Sequence, residues 1–217
     1  GNLIVKENKD KRFEIFEAMQ SVSTILSTIC VICVFFLEQD LIKIWLGEEY
    51  VLDDLVLYAV VVNFYLSISL LPIWTFREAT GLYRETKYIM LLTAVLNLIF
   101  SIVLGKLIGL AGIVFASALS RLVTYFWIEP RLLFGKYFGR SCLVYFKGVA
   151  KSFVVTIAIT MIEHFTASKI GANNWMDLII KGVAVGGICT AIVLSVYWNT
   201  EGVRVLRKKV KTRLSMR

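Results

Sequence analysis

Charged residues are scarce in this sequence, and their scarcity excludes most soluble folds. Only 18% of the 217 residues are charged, 58% are hydrophobic, and the mean hydropathy is +0.73, values far from those of a water-soluble domain. Histidine occurs once, and the sequence shows neither a Ser/His/Asp set, a cluster of metal ligands nor a glycine-rich phosphate loop. We therefore expect an integral membrane protein that is not an enzyme and that binds no metal or cofactor.

The net charge of +8 is the one feature that would suit a nucleic-acid-binding protein. Such a protein carries its basic residues on one face of a soluble domain, whereas here they lie beside apolar stretches of about 20 residues, the length that crosses a bilayer as a helix. The predicted fold is an all-α integral membrane bundle of six transmembrane helices, and nucleic acid is not an expected partner. The predicted spans, A to F, are 18–37, 55–74, 88–108, 112–128, about 146–162 and 178–198.

Two features of the connections between the spans test this assignment. Spans C and D are joined by so short a glycine-containing stretch, 105–112, that they must form a tight hairpin. Lysines and arginines are unevenly distributed among these segments. There are four before A, three between B and C, four between D and E, and seven after F, whereas the other three connections carry one each. Because cytoplasmic loops hold the excess of these residues, both termini are predicted to be cytoplasmic.

Two basic segments are predicted to lie at the cytoplasmic surface of the membrane. The tail, 201–217, repeats Val203, Leu206, Val210 and Leu214 at helical spacing among basic residues, which predicts an amphipathic helix on the anionic inner leaflet. The segment 130–139 mixes basic and large apolar residues and is expected at the same interface. For both, anchoring by the positive-inside rule is at least as good an explanation as recognition of a particular lipid.

Arg121 stands near the midpoint of span D, roughly 13 Å from either end. A guanidinium at that depth costs about 2.5 to 3.5 kcal/mol on insertion scales, so it is predicted to face a polar cavity or a partner. Its planar fork suits a phosphate. We favour binding of an anionic group over the alternative, a structural bond to carbonyls or to an acid elsewhere in the protein.

Other polar residues in span B and span C are candidates for lining a cavity or forming a gate. Asn63 and Asn97 are deep, and hydrogen bonding between helices is slightly favoured for them over cavity lining. Pro72 would kink span B near its cytoplasmic end, where Arg77 and Glu78 follow. A hinge or gate and an ordinary helix end explain this group equally well.

Several segments resemble bacterial polysaccharide repeat-unit flippases. The resemblance covers about residues 1–140 in order and spacing, and spans E and F by position only. The segments that carry it are Gly1-Asn2-Leu3, Trp45-Leu46-Gly47, Phe76-Arg77-Glu78-Ala79-Thr80-Gly81-Leu82-Tyr83, Leu96-Asn97-Leu98-Ile99 and Ser120-Arg121-Leu122-Val123-Thr124-Tyr125-Phe126-Trp127-Ile128-Glu129-Pro130.

The resemblance implies a two-lobed transporter like the multidrug and toxin extrusion (MATE) proteins, with a central cavity that opens alternately to each side. Such flippases move undecaprenyl-diphosphate-linked oligosaccharides across the bacterial cytoplasmic membrane for capsule, exopolysaccharide or O-antigen assembly. Residues 1–140 would belong to the C-terminal bundle, 141–200 would be two trailing helices, and 201–217 a cytoplasmic tail. The sequence starts without methionine and is expected to be a fragment. On the family pattern it would be the last six of fourteen helices, with the N-terminal bundle missing, so this polypeptide alone is expected not to transport.

The resemblance also assigns roles and partners. Arg121 would offer a fixed cation to the substrate diphosphate, and Arg77, Arg84 and Lys87 would attract that anion to the cytoplasmic mouth. The implied partners are the lipid-linked oligosaccharide, anionic inner-leaflet lipids at the tail, the N-terminal bundle, and a polysaccharide polymerase with glycosyltransferases.

Three other functions remain open. A multidrug or lipid II exporter of the same superfamily is disfavoured, but not excluded, by the residues around span D. A membrane-embedded glycosyltransferase or polymerase usually needs a sizeable catalytic loop, and the connections here are shorter than about 20 residues. A scaffold without transport activity would dock biosynthetic partners through the basic tail.

Overall fold

The computed structural model describes residues 8–167 and 169–214, and every regular element in these residues is helical. The first segment of the resemblance, Gly1-Asn2-Leu3, lies outside them. In chain order the elements are α1 (Lys9–Trp45), a 3-10 turn (Glu48–Tyr50), α2 (Asp54–Thr80), α3 (Tyr83–Val123), α4 (Tyr125–Leu133), a π-helical turn (Phe134–Phe138), α5 (Leu143–Ala167), α6 (Trp175–Tyr197) and α7 (Glu201–Leu214).

Five helical stretches within the described residues are long and apolar enough to cross a membrane. Four of them are α1, α2, α5 and α6, and the fifth is the stretch Arg84–Phe138. Large apolar side chains face outward from these helices, with Leu91, Leu107 and Val183 at least 63% exposed, as contact with lipid tails requires. The helices have the length and composition of the all-helical membrane class that the sequence predicts.

The helix α3 doubles back on itself at Ile108 and Gly109. The backbone leaves helical geometry at both residues, and Gly109 has a φ of +62°, which glycine adopts without the strain that a Cβ would add. The hydroxyls of Thr93 and Thr124 share a hydrogen bond of 2.7 Å across the two arms. A Cβ on Gly112 would collide with the carbonyl oxygen of Leu104. The arms 83–107 and 110–123 therefore form the tight hairpin that the sequence predicts.

The helix α2 continues through Pro72 because α1 supplies the hydrogen bond that proline removes. Pro72 has no N–H, which frees the carbonyl of Ile68 one turn earlier. Ser23 of α1 donates its hydroxyl to that carbonyl at 2.5 Å. The helix ends instead at Gly81, whose φ of +72° closes its last turn. Pro72 is thus an interior residue of α2 and not a helix end.

An aromatic cluster joins the beginning of α1 to α2, the π-helical turn and α5. Phe16 is 2% exposed, and its ring packs edge-to-face on those of Phe76 and Phe134, with centroids 5.4 Å apart in both pairs. Phe138 and Tyr145 belong to the same buried cluster. Edge-to-face pairs contribute about 0.5 to 1.5 kcal/mol each beyond the burial of their area, so this cluster fixes one end of the bundle.

The segment 130–139 packs into the core of the bundle, and its predicted place at the membrane interface stays a prediction. Leu133, Phe134 and Phe138 are 1%, 1% and 2% exposed and belong to the core. The π-helical turn directs the two rings at α1 while Lys136 stays exposed. Burying a phenylalanine stabilises by about 1.5 to 3 kcal/mol, which exceeds what one surface cation gains from anionic lipid, about 1 kcal/mol.

The last helices pack on α1 and share its core. Lys181 of α6 donates to Asp40 of α1 at 2.6 Å, and α7 approaches α1 so closely that a Cβ on Gly202 would collide with the carbonyl oxygen of Glu17. The amphipathic helix predicted in the tail is present as α7, with basic residues such as Arg204 exposed. Its contact with anionic lipid stays a prediction.

Candidate functional site

Arg121, on the second arm of α3, is held by neutral oxygens of α2. Its Nη1 donates to Asn63 Oδ1 at 2.9 Å and to Ser67 Oγ at 2.5 Å, and the guanidinium lies 5.9 Å from the centre of the Trp74 ring. In the part of the chain that the structure describes, no carboxylate lies within ion-pair distance of Arg121. Its positive charge is therefore left for an anion to neutralise.

Local spacing explains how these side chains meet. Asn63 and Ser67 are four residues apart and so share one face of α2, and the Ser67 hydroxyl also donates to the Asn63 carbonyl at 2.8 Å. Arg121 comes two residues before α3 ends, where Thr124 departs from helical geometry with φ −118° and ψ −103°. The hydrogen bond between the hydroxyls of Thr93 and Thr124 fixes that break, so the position of the guanidinium is set by the hairpin and by α2 together.

The two deep asparagines have different surroundings. Asn63 accepts from Arg121 and belongs to the candidate site. Asn97 donates from Nδ2 to the hydroxyls of Ser117 and Ser120, at 3.1 and 3.4 Å. Asn97 therefore links the two arms of α3, which is the hydrogen-bonding role that the sequence slightly favours.

The three cations predicted at the cytoplasmic mouth are not equivalent. Arg77 forms an ion pair with Glu129 of α4, with 2.6 Å between Nη1 and Oε1, and the two side chains are 11% and 2% exposed. Glu78, a candidate gate residue, is 73% exposed and 3.9 Å from Arg77. Arg84 and Lys87 are exposed. An approaching anion would thus meet Arg84 and Lys87 directly, whereas Arg77 is already engaged.

Sequence reasoning missed two buried acids, Glu129 and Glu163. Glu129 was read only as part of a motif at the end of span D, and its partner Arg77 is 52 residues away. Its one signal is that it stands between Ile128 and Pro130, inside an apolar run where a lone acid needs a cation. Glu163 lies just beyond the weakest predicted span, and nothing in its neighbours distinguishes it from an acid at the interface.

The bundle also contains an apolar crevice of about 970 Å³. It lies between α1, α2, α4 and α5, and Tyr65, Trp127 and Phe153 are among its large side chains. Consecutive residues of a helix point in directions about 100° apart, and the crevice is lined by Val62 and Leu66, not by the neighbouring Asn63 and Ser67. The crevice and the Arg121 site are therefore on different faces of α2, and the crevice by itself suits a hydrocarbon chain.

The described residues hold no group of three or more His, Cys, Asp or Glu side chains that could bind a metal ion. The four cysteines are free thiols, as expected from their apolar surroundings.

No family model, curated protein or solved structure matches the chain. Function must therefore be inferred from the site itself and from the sequence pattern.

Proposed function

We propose that this chain belongs to a flippase for undecaprenyl-diphosphate-linked oligosaccharides in the bacterial cytoplasmic membrane, and that Arg121 binds the substrate diphosphate. The observation that carries the proposal is the guanidinium of Arg121, which neutral oxygens hold and which no carboxylate of the described residues neutralises. The same bundle also has a large apolar crevice. A lipid-linked oligosaccharide has the complementary parts, an anionic diphosphate and a long hydrocarbon chain. The resemblance to polysaccharide repeat-unit flippases adds that the lipid in question carries an oligosaccharide.

The proposed arrangement crosses the membrane six times. The first three crossings are α1, α2 and the first arm of α3. The fourth is the second arm of α3 together with α4, the fifth is α5 and the sixth is α6. Eighteen lysines and arginines in four segments, against three in the other connections, support cytoplasmic termini in this arrangement. The tip of the hairpin at Gly109 then faces outward, and α7 lies at the inner leaflet with its basic residues available to anionic lipid. On the resemblance, these helices form a MATE-like C-terminal bundle with two trailing helices.

The site geometry suits binding followed by release. Asn63 and Ser67 hold Nη1 of Arg121, so the guanidinium is oriented before the ligand arrives and little side-chain entropy is lost on binding. A single guanidinium attracts a diphosphate strongly but does not enclose it. A transported substrate must leave again, so a moderate affinity is what transport requires.

Binding can be tested with undecaprenyl diphosphate as the probe and the purified chain in nanodiscs. Removing the charge by Arg121→Gln should weaken binding by about ten- to one-hundred-fold, the equivalent of one charge-assisted hydrogen bond of about 1.5 to 3 kcal/mol. Arg121→Lys keeps the charge but loses the planar fork and should have an intermediate effect. Lys106→Gln, at the exposed hairpin tip, is the matched control and should bind as the unaltered chain does. Unchanged affinity in Arg121→Gln would refute the proposed site.

The role in polysaccharide export requires the full-length protein in cells. Arg121→Ala should abolish or strongly reduce surface polysaccharide at an unchanged level of the protein in the membrane. Accumulation of lipid-linked repeat units on the cytoplasmic side would separate a transport defect from a biosynthetic one. A normal amount of polymer would show that Arg121 does not bind a required substrate.

A further inference from the structure

Glu163, near the end of α5, is completely buried without a cation. Its exposed fraction is 0%. The Thr166 hydroxyl donates to Oε2 at 2.9 Å, whereas Oε1 has no hydrogen-bond partner. Across residues 8–167 and 169–214, no lysine, arginine or histidine forms an ion pair with this carboxyl, and the adjacent His164 is exposed. The carboxyl is therefore a buried acid that nothing in the proposed site uses.

Three helices enclose this acid. Ile159 and Ala167, one turn before and after Glu163, are each 1% exposed and pack with Ile32 of α1 and Cys189 of α6. The titratable groups near the carboxyl are thiols, Cys33 from α1 and Cys189 from α6. Thiols and alkyl groups cannot stabilise a carboxylate as a cation would.

The carboxyl also lies well inside the bundle. The Asp40–Lys181 ion pair joins the end of α1 to the beginning of α6. Cys33 precedes Asp40 by seven residues and Cys189 follows Lys181 by eight, which is roughly 10 to 12 Å further along both helices. Glu163 lies near the level of these two cysteines, which is well inside the ends of α1 and α6, although α5 itself ends four residues later at Ala167.

An ionised carboxylate at such a position costs several kcal/mol unless a positive charge accompanies it. A hard metal cation needs about six or more oxygen ligands, and this site provides only the carboxylate and one hydroxyl, that of Thr166. A proton needs no further ligand. The surroundings of Glu163 therefore fit a proton and do not fit a metal ion.

We propose that Glu163 is a proton-binding site that is occupied while α5 packs against α1 and α6 and that empties when these helices separate. On release the O–H bond of the carboxyl breaks and the proton passes to water. The remaining carboxylate opposes the return of α5, because packing would bury its charge again. The proton thus links the packing of three helices to pH. This inference does not depend on the substrate proposed above, and its tests contain none.

The protonation state can be read by infrared spectroscopy of the chain in liposomes at neutral pH. The spectrum of the unaltered chain should contain the C=O band of a protonated carboxyl in apolar surroundings, and Glu163→Gln should lack it. Asp40→Asn is the matched control, since the Asp40 carboxylate is paired with Lys181 and should contribute no such band. If Glu163→Gln removes no protonated-carboxyl band, the acid is ionised and the proposal fails.

The link to helix packing can be read from Cys189, which is 0% exposed. Its rate of modification by a maleimide, followed by mass spectrometry, is compared in the unaltered chain and in Glu163→Gln as pH rises. Formation of the thiolate is common to both chains and cancels in the ratio of rates. We expect the ratio to grow with pH, by up to tenfold per pH unit between the pH at which the carboxyl loses its proton in the separated helices and the pH at which it would lose it while packed. Identical pH profiles in the two chains would overturn the link.

Discussion

Arg77 of α2 and Glu129 of α4 form a buried ion pair, with 2.6 Å between Nη1 and Oε1. The pair uses one atom of each group, and both Arg77 Nε and Glu129 Oε2 are buried without a hydrogen-bond partner. It joins α2 to the segment that follows the break at Thr124. A buried pair with unsatisfied atoms contributes little net stability compared with apolar packing, yet the loss of one partner is costly.

Removal of one partner should therefore destabilise the chain more than removal of both. Glu129→Gln leaves the Arg77 charge buried and should lower the free energy of unfolding by about 3 to 5 kcal/mol. The double variant Arg77→Met, Glu129→Leu should recover most of this loss, because no buried charge remains. Denaturant unfolding in detergent micelles measures both. Equal losses in the single and double variants would show that the charges do not compensate each other.

The hydroxyl of Ser23 should matter only because Pro72 is present. Ser23→Ala leaves the partly buried carbonyl of Ile68 without a donor and should cost about 1 to 3 kcal/mol. Pro72→Ala restores a backbone N–H to that carbonyl, so Ser23→Ala made in the Pro72→Ala background should cost much less. The four free energies of unfolding form a double-mutant cycle. A coupling energy near zero would contradict the bond between Ser23 and Ile68.

What the sequence could predict was set by local patterns. Long apolar helices, the hairpin at the glycine-containing stretch 105–112 and a helix in the tail as far as Leu214 all follow from residues close together in the chain, and each is present in the structure. The depth of Arg121 also showed that it needs a partner. All of these depend on periodicity, which one sequence displays directly.

Partners distant in sequence could not be predicted in the same way. Asn63 and Ser67 are 58 and 54 residues from Arg121, and many polar residues in the spans could equally have met it. The mixed composition of segment 130–139 likewise did not show that its rings pack on Phe13 of α1. Such choices are decided by tertiary packing, which a local pattern does not contain.

Glycines in the apolar segments should differ sharply in their tolerance of a methyl group. A Cβ on Gly112 would overlap the backbone of the opposite arm at Leu104, whereas a Cβ on Gly187 would meet nothing within 4 Å. Gly112→Ala should therefore cost about 1 to 3 kcal/mol through overpacking. Gly187→Ala should be neutral or stabilise by up to about 1 kcal/mol, because alanine favours the helix. Similar thermal stabilities for the two variants would contradict the close approach of the α3 arms.

The number of crossings can be decided at the tip of the α3 hairpin. If the two arms of α3 cross separately, a cysteine introduced by Lys106→Cys, in a chain without its four native cysteines, lies outside the cell. It should react with a membrane-impermeant maleimide in intact cells. Lys136→Cys, beyond the second arm, should react only after the membrane is permeabilised. If the stretch Arg84–Phe138 crossed once, position 106 would lie within the bilayer and should not react in either condition. Since the two models predict opposite labelling at a single residue, this measurement distinguishes six crossings from five.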